Sequence, residues 1–375
     1  MIKPNSILGM LGGGQLGRMF ALAAAQMGYR VWVYDPNQQS PAGEVACRHI
    51  CASYDDHAAL QEFGEACDVI TTEFENIPAE TLRFLQKTSQ VCPNPEAVYI
   101  AQNRIREKQF INELGIPTSA FIAINQLEDF AQSEHLNWPC ILKTAQFGYD
   151  GKGQAVVNNM QEAQTAFKTF EQVPCILEEK VALDCEISVV LGRNDKGEVC
   201  YFPVARNEHQ NGILHISSVP AQVPHETQTY ACEIALKIAQ ALDYVGIFTV
   251  EYFINSDQQL MVNEIAPRVH NSGHYTLDAC HVSQFEQQVR MVCGLTPLDT
   301  LNHSAVAMVN ILGDAWVNDE LPVECLLEDV NVKLHLYGKQ GAKPGRKMGH
   351  FSVLAEHVDV AKQHAVNVYE KLMSD

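Results

Sequence analysis

The sequence predicts an α/β protein whose amino-terminal parallel sheet gives way to an α+β unit, and three observations carry this. Over the first hundred residues, apolar runs of strand length alternate with amphipathic helical stretches. From Pro117 onward, strands follow one another across turns, without a helix at every step. The 375 residues exceed what one ordinary core holds, and no internal repeat, low-complexity tract or long linker interrupts them, so two or three tightly packed domains are expected.

Taken in order, SILGML (6–11) reads as a buried strand and GRMFALAAAQMG (17–28) as a helix closing on Gly28. Strand YRVWVYD (29–35), helix DDHAALQEFGEAC (55–67), strand DVITTEF (68–74) and helix PAETLRFLQKT (78–88) follow. This rhythm implies a parallel sheet covered on both faces. Pro93, Pro95 and one helix over about 96–114 mark a transition. Strands PCILKTA, QAVV, CILEEKV, EISVVLG, VCYFPVA and GILHISSVPA come next, with helices at 161–171 and 226–243. After about residue 300 come strands AVAMVNIL, VKLHLY and HFSVLAE, then a terminal helix HVDVAKQHAVNVYEKLM.

Composition narrows the function. A hydrophobic fraction of 46% with 19% charged residues suits a soluble globular protein. No run of about 18 apolar residues suggests a membrane span, and MIKPNSILGMLGGGQLGRM lacks the basic region and cleavage site of a signal peptide. A cytoplasmic location is therefore expected. The 12 cysteines are scattered and form no Cys-x-x-Cys pair, which fits buried thiols in a reducing compartment. A net charge of −19 repels nucleic acid and anionic membranes, so any phosphate must be held by backbone amides, a few basic side chains and metal ions.

Gly12, Gly14 and Gly17 satisfy G-x-G-x-x-G between strand and helix, with Asp35 ending the second strand where a ribose-binding acid would sit. A dinucleotide fits this turn. So does any other phosphate ligand, because glycines admit an anion to the N–H groups and dipole of a helix start. A second cluster (Thr71, Thr72, Glu73, Glu75, Asn76) ends the third strand on the same sheet edge. Helix capping by solvated acids before 78–88 is the alternative, and the common edge of the two clusters favours a shared ligand.

ILKTAQFGYDGKGQ (141–154) closes an apolar strand with Lys143 and continues into a glycine loop carrying Lys152. Such a loop can fold over a triphosphate. It is not a P-loop, and a hairpin without function could share its composition. IFTVEYFI (247–254) and LMVNEIAP (260–267) read as paired strands. Alternation puts Glu251 on the face of Thr249 and Phe253, and Glu264 on the face of Leu260 and Val262. Acids inside apolar strands need a cation, and two carboxylates with Asn263 suit Mg²⁺ against phosphate oxygens. PRVHNSGHYT (267–276) then supplies Arg268, His270, Asn271, Ser272 and His274, dense in donors but without zinc-ligand spacing. Lys339, Arg346 and Lys347 stand out in so acidic a chain.

Together GGGQLGRM, TTEFENI, LKT…GYDGKGQ, EEKV, VEYF…NEIAPRVHNSGH and YGK…PGRKMGH resemble the ATP-grasp superfamily and, within it, the family of ATP-dependent 5-(carboxyamino)imidazole ribonucleotide synthases. The matches run in order along nearly the whole chain. The resemblance implies an ATP-grasp fold: an N-terminal Rossmann-like domain over 1–103, an ATP-grasp domain over 104–298 with a lid at about 116–182, and a C-terminal α+β domain over 299–375. It implies an ATP-dependent carbon–nitrogen ligase, commonly dimeric, that carboxylates the amine of aminoimidazole ribonucleotide with bicarbonate. The N-terminal glycine turn would then bind a ribose 5-phosphate.

Residue by residue, the resemblance assigns ATP to Arg104, Lys143 and the loop Gly148, Tyr149, Asp150, Gly151, Lys152, Gly153 and Gln154. The backbone of Glu178, Glu179, Lys180 and Val181 would read adenine and Glu186 the ribose, with His209, Asn263 and Glu264 also in contact. Glu251 and Glu264 would hold Mg²⁺. The ribonucleotide would lie against Gly14, Gln15, Leu16, Glu73, Asn271, Lys339 and Arg346. Asp150, Arg268, Asn271 and Lys339 would surround the reacting centre. The rivals are an ATP-grasp ligase for another amine, a Rossmann oxidoreductase and a nucleotide sensor without turnover.

Overall fold

The structure is a computed structural model that describes residues 1–148, 153–318 and 320–374. The expected contributions of Tyr149, Asp150, Gly151 and Lys152 lie outside the described residues.

The N-terminal sheet is parallel, in the order Arg48–Ile50, Arg30–Tyr34, Ile7–Leu11, Val69–Thr72, Gln90–Val91. Connections run one way from Ile7–Leu11 and then switch sides to Val69–Thr72. The crevice between these neighbours, at Leu11 and Thr72, is where open α/β sheets bind ligands. One face packs on helices His57–Ala66 and Ala79–Leu85 through Phe63, Leu82 and Leu85. The other packs on helix Gln15–Gln26 through Phe20 and Ala24, and on Val289 and Val292 of helix Gln284–Val292.

That last helix was not evident in the sequence, and its inner face explains why. Phe285, Val289 and Val292 keep a helical apolar spacing, but Gln284, Gln287 and Gln288 are buried beside them and interrupt the apolar stripe that would reveal the helix. Each glutamine is hydrogen-bonded: Gln288 to Ile247 N and Thr71 Oγ1, Gln287 to Leu298 O, and Gln284 to His270 O.

A nine-stranded antiparallel sheet forms the body, running Leu260–Ala266, Gly246–Asn255, Leu183–Arg193, Ala205–Gln210, Ile213–Val219, Ala305–Leu312, Lys347–Ala355, Val332–Leu336, with Val199–Tyr201 paired to Leu183–Arg193. The strands after residue 300 extend this sheet, joined through the pairing of Ile216 with Val309. A separate four-stranded sheet, Phe121–Ile124, Cys175–Glu179, Cys140–Thr144, Gln154–Val157, has its own small core around Phe130 and Phe167.

Two expected elements are divided. The single helix over 96–114 is two, Pro95–Ala101 and Arg104–Glu113, because Asn103 turns out of the helix and caps the second by accepting from Ile105 N and Arg106 N. VCYFPVA is likewise two strands, Val199–Tyr201 and the start of Ala205–Gln210, separated at Pro203, which has no N–H for a ladder. All twelve cysteines are free, and among the described residues no helix is long and apolar enough to cross a membrane.

Candidate active site

Two cavities meet in the middle of the molecule. The first, about 350 Å³, lies between the four-stranded and nine-stranded sheets. Arg104, Lys143, Gly148, Gln154, Glu186, His209, Glu251, Asn263 and Glu264 line it. The second, about 490 Å³, opens at the carboxyl edge of the parallel sheet and is lined by Gly14, Gln15, Leu16, Glu73, Lys339 and Arg346. Arg268, His270, Asn271 and Lys347 line both.

In the first cavity Arg104 donates to Glu264 Oε2 at 3.0 Å and to Gly148 O at 3.2 Å. Lys143 sits 2.9 Å from the buried Glu178 carboxylate, with Lys108 at 3.9 Å. Burial opposes ionisation of Glu178, but the two ammonium groups outweigh it and hold the carboxyl at about 2. The Glu178 side chain thus orients Lys143 from behind. Glu179 accepts from Asn137, and neither it nor Lys180 or Val181 lines the cavity. Glu186 pairs with His209 at 2.8 Å. Burial lowers the His209 pKa, yet its hydrogen bond to Glu186 leaves it raised.

The expectation for Glu264 is corrected in one respect. It does not share a face with Leu260 and Val262. Glu251 pairs with Glu264 and Tyr252 with Val262, so Asn263 is an extra residue in its strand, a β-bulge. The bulge sends Leu260, Val262 and Ile265 into the core, and turns both Asn263 and Glu264 toward the cavity on the side of Glu251. Simple alternation cannot anticipate it. Two carboxylates directly opposite across a strand pair repel unless a cation joins them. Here His270 Nε2 lies 2.9 Å from Glu251 and Arg104 reaches Glu264. An all-oxygen donor set of this kind fits Mg²⁺.

The glycine turn is occupied by the protein's own acids. Glu73 accepts from Gly14 N and from Gly17 N, the latter at 2.7 Å, and Asp35 accepts from Gly13 N at 2.8 Å and from Tyr54 Oη. Asp35 is therefore committed to the turn and does not await a dinucleotide ribose. Burial raises the Glu73 pKa despite these N–H donors. Gly14 admits this approach: a Cβ there would stand 2.6 Å from Glu73 Oε1. Lys339 Nζ donates to Lys347 O at 2.8 Å, and Arg346 Nη1 to Gly341 O at 2.8 Å, which folds the 338–347 loop against the second cavity.

At the junction Arg268 forms a two-point pair with Glu75, Nε to Oε2 at 2.5 Å and Nη2 to Oε1 at 3.3 Å. Burial works against the Glu75 charge, and Arg268 overcomes it, holding the carboxyl at about 2. Asn271 is 9% exposed, and neither its Oδ1 nor its Nδ2 has a hydrogen-bond partner among the described residues. A buried amide left so costs about 1–3 kcal/mol, which a ligand at the junction would recover. Gln284, bonded to both His270 N and His270 O, fixes this segment. Sequence reasoning missed it, along with Glu107 and Lys108. The available signal was that these charged residues fall on the buried face of helix Arg104–Glu113, beside Ile111.

His274, predicted as a donor, is a core residue. It is wholly buried, as is His350, and His335 stacks on His350 and pairs with Asp278 at 2.9 Å. Burial holds the His274 and His350 imidazoles well below their ordinary pKa. The unfolded chain takes up protons near pH 6.5, about where free histidine titrates, and the folded chain does not. Their contribution is thus complete above that pH and is lost as pH falls. The urea midpoint of the wild type should drop between about pH 7 and 5.5, and His350→Gln should show a shallower drop. An identical slope in the variant would refute this.

Comparison with known proteins gives three family matches in chain order: a ribonucleotide synthetase preATP-grasp domain over residues 6–102, an ATP-grasp domain over 109–285, and a phosphoribosylaminoimidazole carboxylase C-terminal domain over 306–364. N5-carboxyaminoimidazole ribonucleotide synthase of Brucella melitensis is 45% identical over 93% of this chain and 96% of its own length, and that of Bacillus subtilis 42% over 98% and 96%. Among solved structures, an ADP complex of N5-carboxyaminoimidazole ribonucleotide synthetase superposes with a TM-score of 0.93 at 41% identity, covering 100% of this chain and 99% of that one. The Aspergillus clavatus synthase in complex with ADP and 5-aminoimidazole ribonucleotide gives 0.92 at 30%, covering 99% of each. The chain belongs to the N5-carboxyaminoimidazole ribonucleotide synthase family of ATP-grasp enzymes.

Proposed function

We propose that the first cavity takes ATP, the second takes 5-aminoimidazole ribonucleotide, and bicarbonate reacts where they meet. The chain is an ATP-dependent ligase of purine biosynthesis that carboxylates the ribonucleotide's exocyclic amine. The observation that carries the residue assignment is the shared wall of Arg268, His270 and Asn271, with the unpartnered Asn271 amide between the cavities.

In the first stage a bicarbonate oxygen attacks the γ-phosphorus. The bond to the β,γ-bridging oxygen breaks, leaving ADP and carboxyphosphate. Lys143 and Arg104 bind and orient the phosphates, Glu186 and His209 the ribose, and the backbone of Glu178–Val181 the adenine. Glu251 and Glu264 would hold Mg²⁺, which would neutralise charge developing on the transferred phosphoryl. In the second stage the amine nitrogen bonds to the carboxyl carbon, directly or after CO₂ forms; the carbon–oxygen bond to phosphate breaks, and the departing phosphate takes up the amine proton. Arg268, Asn271 and Lys339 surround that carbon and, with Asp150 beyond the described residues, keep it from water. Glu73 orients the ribonucleotide's ribose, while Gln15, Leu16, Lys339 and Arg346 take its phosphate.

ADP release with each substrate omitted in turn tests the scheme: carboxylated ribonucleotide should form only when all three are present, and bound ATP without bicarbonate-dependent ADP release would indicate a sensor. Gly14→Val drives a side chain into Glu73, so it should raise the Michaelis constant for the ribonucleotide about tenfold, a loss of roughly 1.4 kcal/mol. The constant for ATP, bound on other elements, should stay within about twofold. A parallel loss of ATP affinity would show that the turn serves both sites. The reading also includes domains at 1–103, 104–298 and 299–375, a cytoplasmic location and a homodimer, the last measurable by light scattering.

A further inference from the structure

We propose that Glu107 is a positioning residue for the metal-holding carboxylates: it anchors the strand just past the β-bulge that turns Asn263 and Glu264 together into the ATP cavity. The inference rests on the assignment of Mg²⁺ to Glu251 and Glu264.

Strand Leu260–Ala266 is an edge of the nine-stranded sheet, so every second N–H points away from its neighbour. Val262 N does so, donating to Pro117 O at 2.8 Å. In an unbroken strand the next outward N–H would be that of Glu264. The extra residue at Asn263 passes that role to Ile265, whose N–H donates to Glu107 Oε1 at 2.5 Å. Glu107 therefore holds the residue that follows Glu264, just past the bulge. The regular register would turn Glu264 toward the core with Leu260 and Val262, and bring Ile265 into the cavity.

The rest of the helix supports the same strand. Lys108, 2% exposed, reaches Val262 O at 3.5 Å, and its Nζ also donates to Thr118 Oγ1 at 2.6 Å and Ser119 Oγ at 3.1 Å. Thr118 Oγ1 in turn donates to Val262 O at 2.8 Å. One turn earlier, Arg104 holds Glu264 itself. A single helix thus grips the strand before the bulge, the N–H just after it and the carboxylate it presents.

Two substitutions separate reach from charge. Glu107→Gln keeps an oxygen at the same distance from Ile265 N and removes the charge. Glu107→Asp keeps the charge and withdraws the oxygen by one methylene. Mn²⁺ affinity of the ADP complex, read from free Mn²⁺ by electron paramagnetic resonance, should weaken about tenfold in Glu107→Asp and stay within about twofold of wild type in Glu107→Gln. The turnover number should fall in Glu107→Asp alone, with the Michaelis constant for the ribonucleotide unchanged in both. Normal Mn²⁺ affinity in Glu107→Asp, or weakened affinity in Glu107→Gln, overturns the proposal. If Glu107→Asp does not fold, Glu107→Gln carries the test by itself. Glu264→Gln in the same assay separates the two ideas. If it binds Mn²⁺ normally, the metal assignment fails. If it loses Mn²⁺ while Glu107→Asp does not, only the positioning role fails.

Discussion

Glu264→Gln is expected to lower turnover by roughly a hundredfold or more while the protein stays folded. The side chain is partly exposed at the cavity wall, and glutamine keeps an oxygen for Arg104 to donate to, so a neutral isostere of the same shape leaves the core intact. What it removes is one of the two facing carboxylates proposed to fix Mg²⁺ on the transferred phosphoryl. Deleting one well-placed group that stabilises developing charge costs roughly a hundredfold to a thousandfold in rate. Saturating Mg²⁺ should restore little, because the ion would occupy the wrong place as well as bind weakly. ADP formation across a Mg²⁺ titration, with a thermal melt as the folding control, makes the measurement. Near-normal ADP production at saturating Mg²⁺ would falsify the metal assignment.

How far these features could be read from the chain depends on whether local pattern or tertiary pairing creates them. The glycine turn, the acids after Val69–Thr72 and the paired strands around Glu251 and Glu264 each carry short-range signals, and the structure brings them to the two cavities. The bulge at Asn263 has no such signal, since it exists only in the pairing of Leu260–Ala266 with Gly246–Asn255. Helix Gln284–Val292 was hidden because buried glutamines, satisfied by partners on other elements, interrupt the apolar stripe of Phe285, Val289 and Val292. The acid–glycine contacts are of the same kind: Gly14 and Glu73 lie 59 residues apart, and only the adjacency of Ile7–Leu11 and Val69–Thr72 joins them. Nor did the turns after residue 298 announce that the following strands extend a sheet begun earlier.

Replacing both Lys339 and Arg346 by alanine is expected to raise the Michaelis constant for the ribonucleotide by roughly a hundredfold, from two charge-assisted phosphate contacts of about 1.5 kcal/mol each, at the low end because both side chains are partly solvated. The geometry supports this. Both residues line the cavity at the glycine turn, and Lys339 lies close enough to Glu73 to act on its charge. The turn itself has given Gly13, Gly14 and Gly17 N–H groups to Asp35 and Glu73, so a phosphate there must draw its positive charge from elsewhere. In a chain of net charge −19 these residues are the source at hand. They are held by backbone carbonyls of their own loop, at Lys347 and Gly341, so the loop shape that presents them does not depend on the ligand. The Michaelis constant for ATP, bound across the junction, should change by less than about threefold. Each single variant should show about a tenfold rise on its own, and the product of the two should approach the double variant's value, since the contacts are separate. Steady-state kinetics with each substrate varied in turn decide the matter: an unchanged ribonucleotide constant in both single variants would place the phosphate somewhere other than between this loop and the helix start at Gln15.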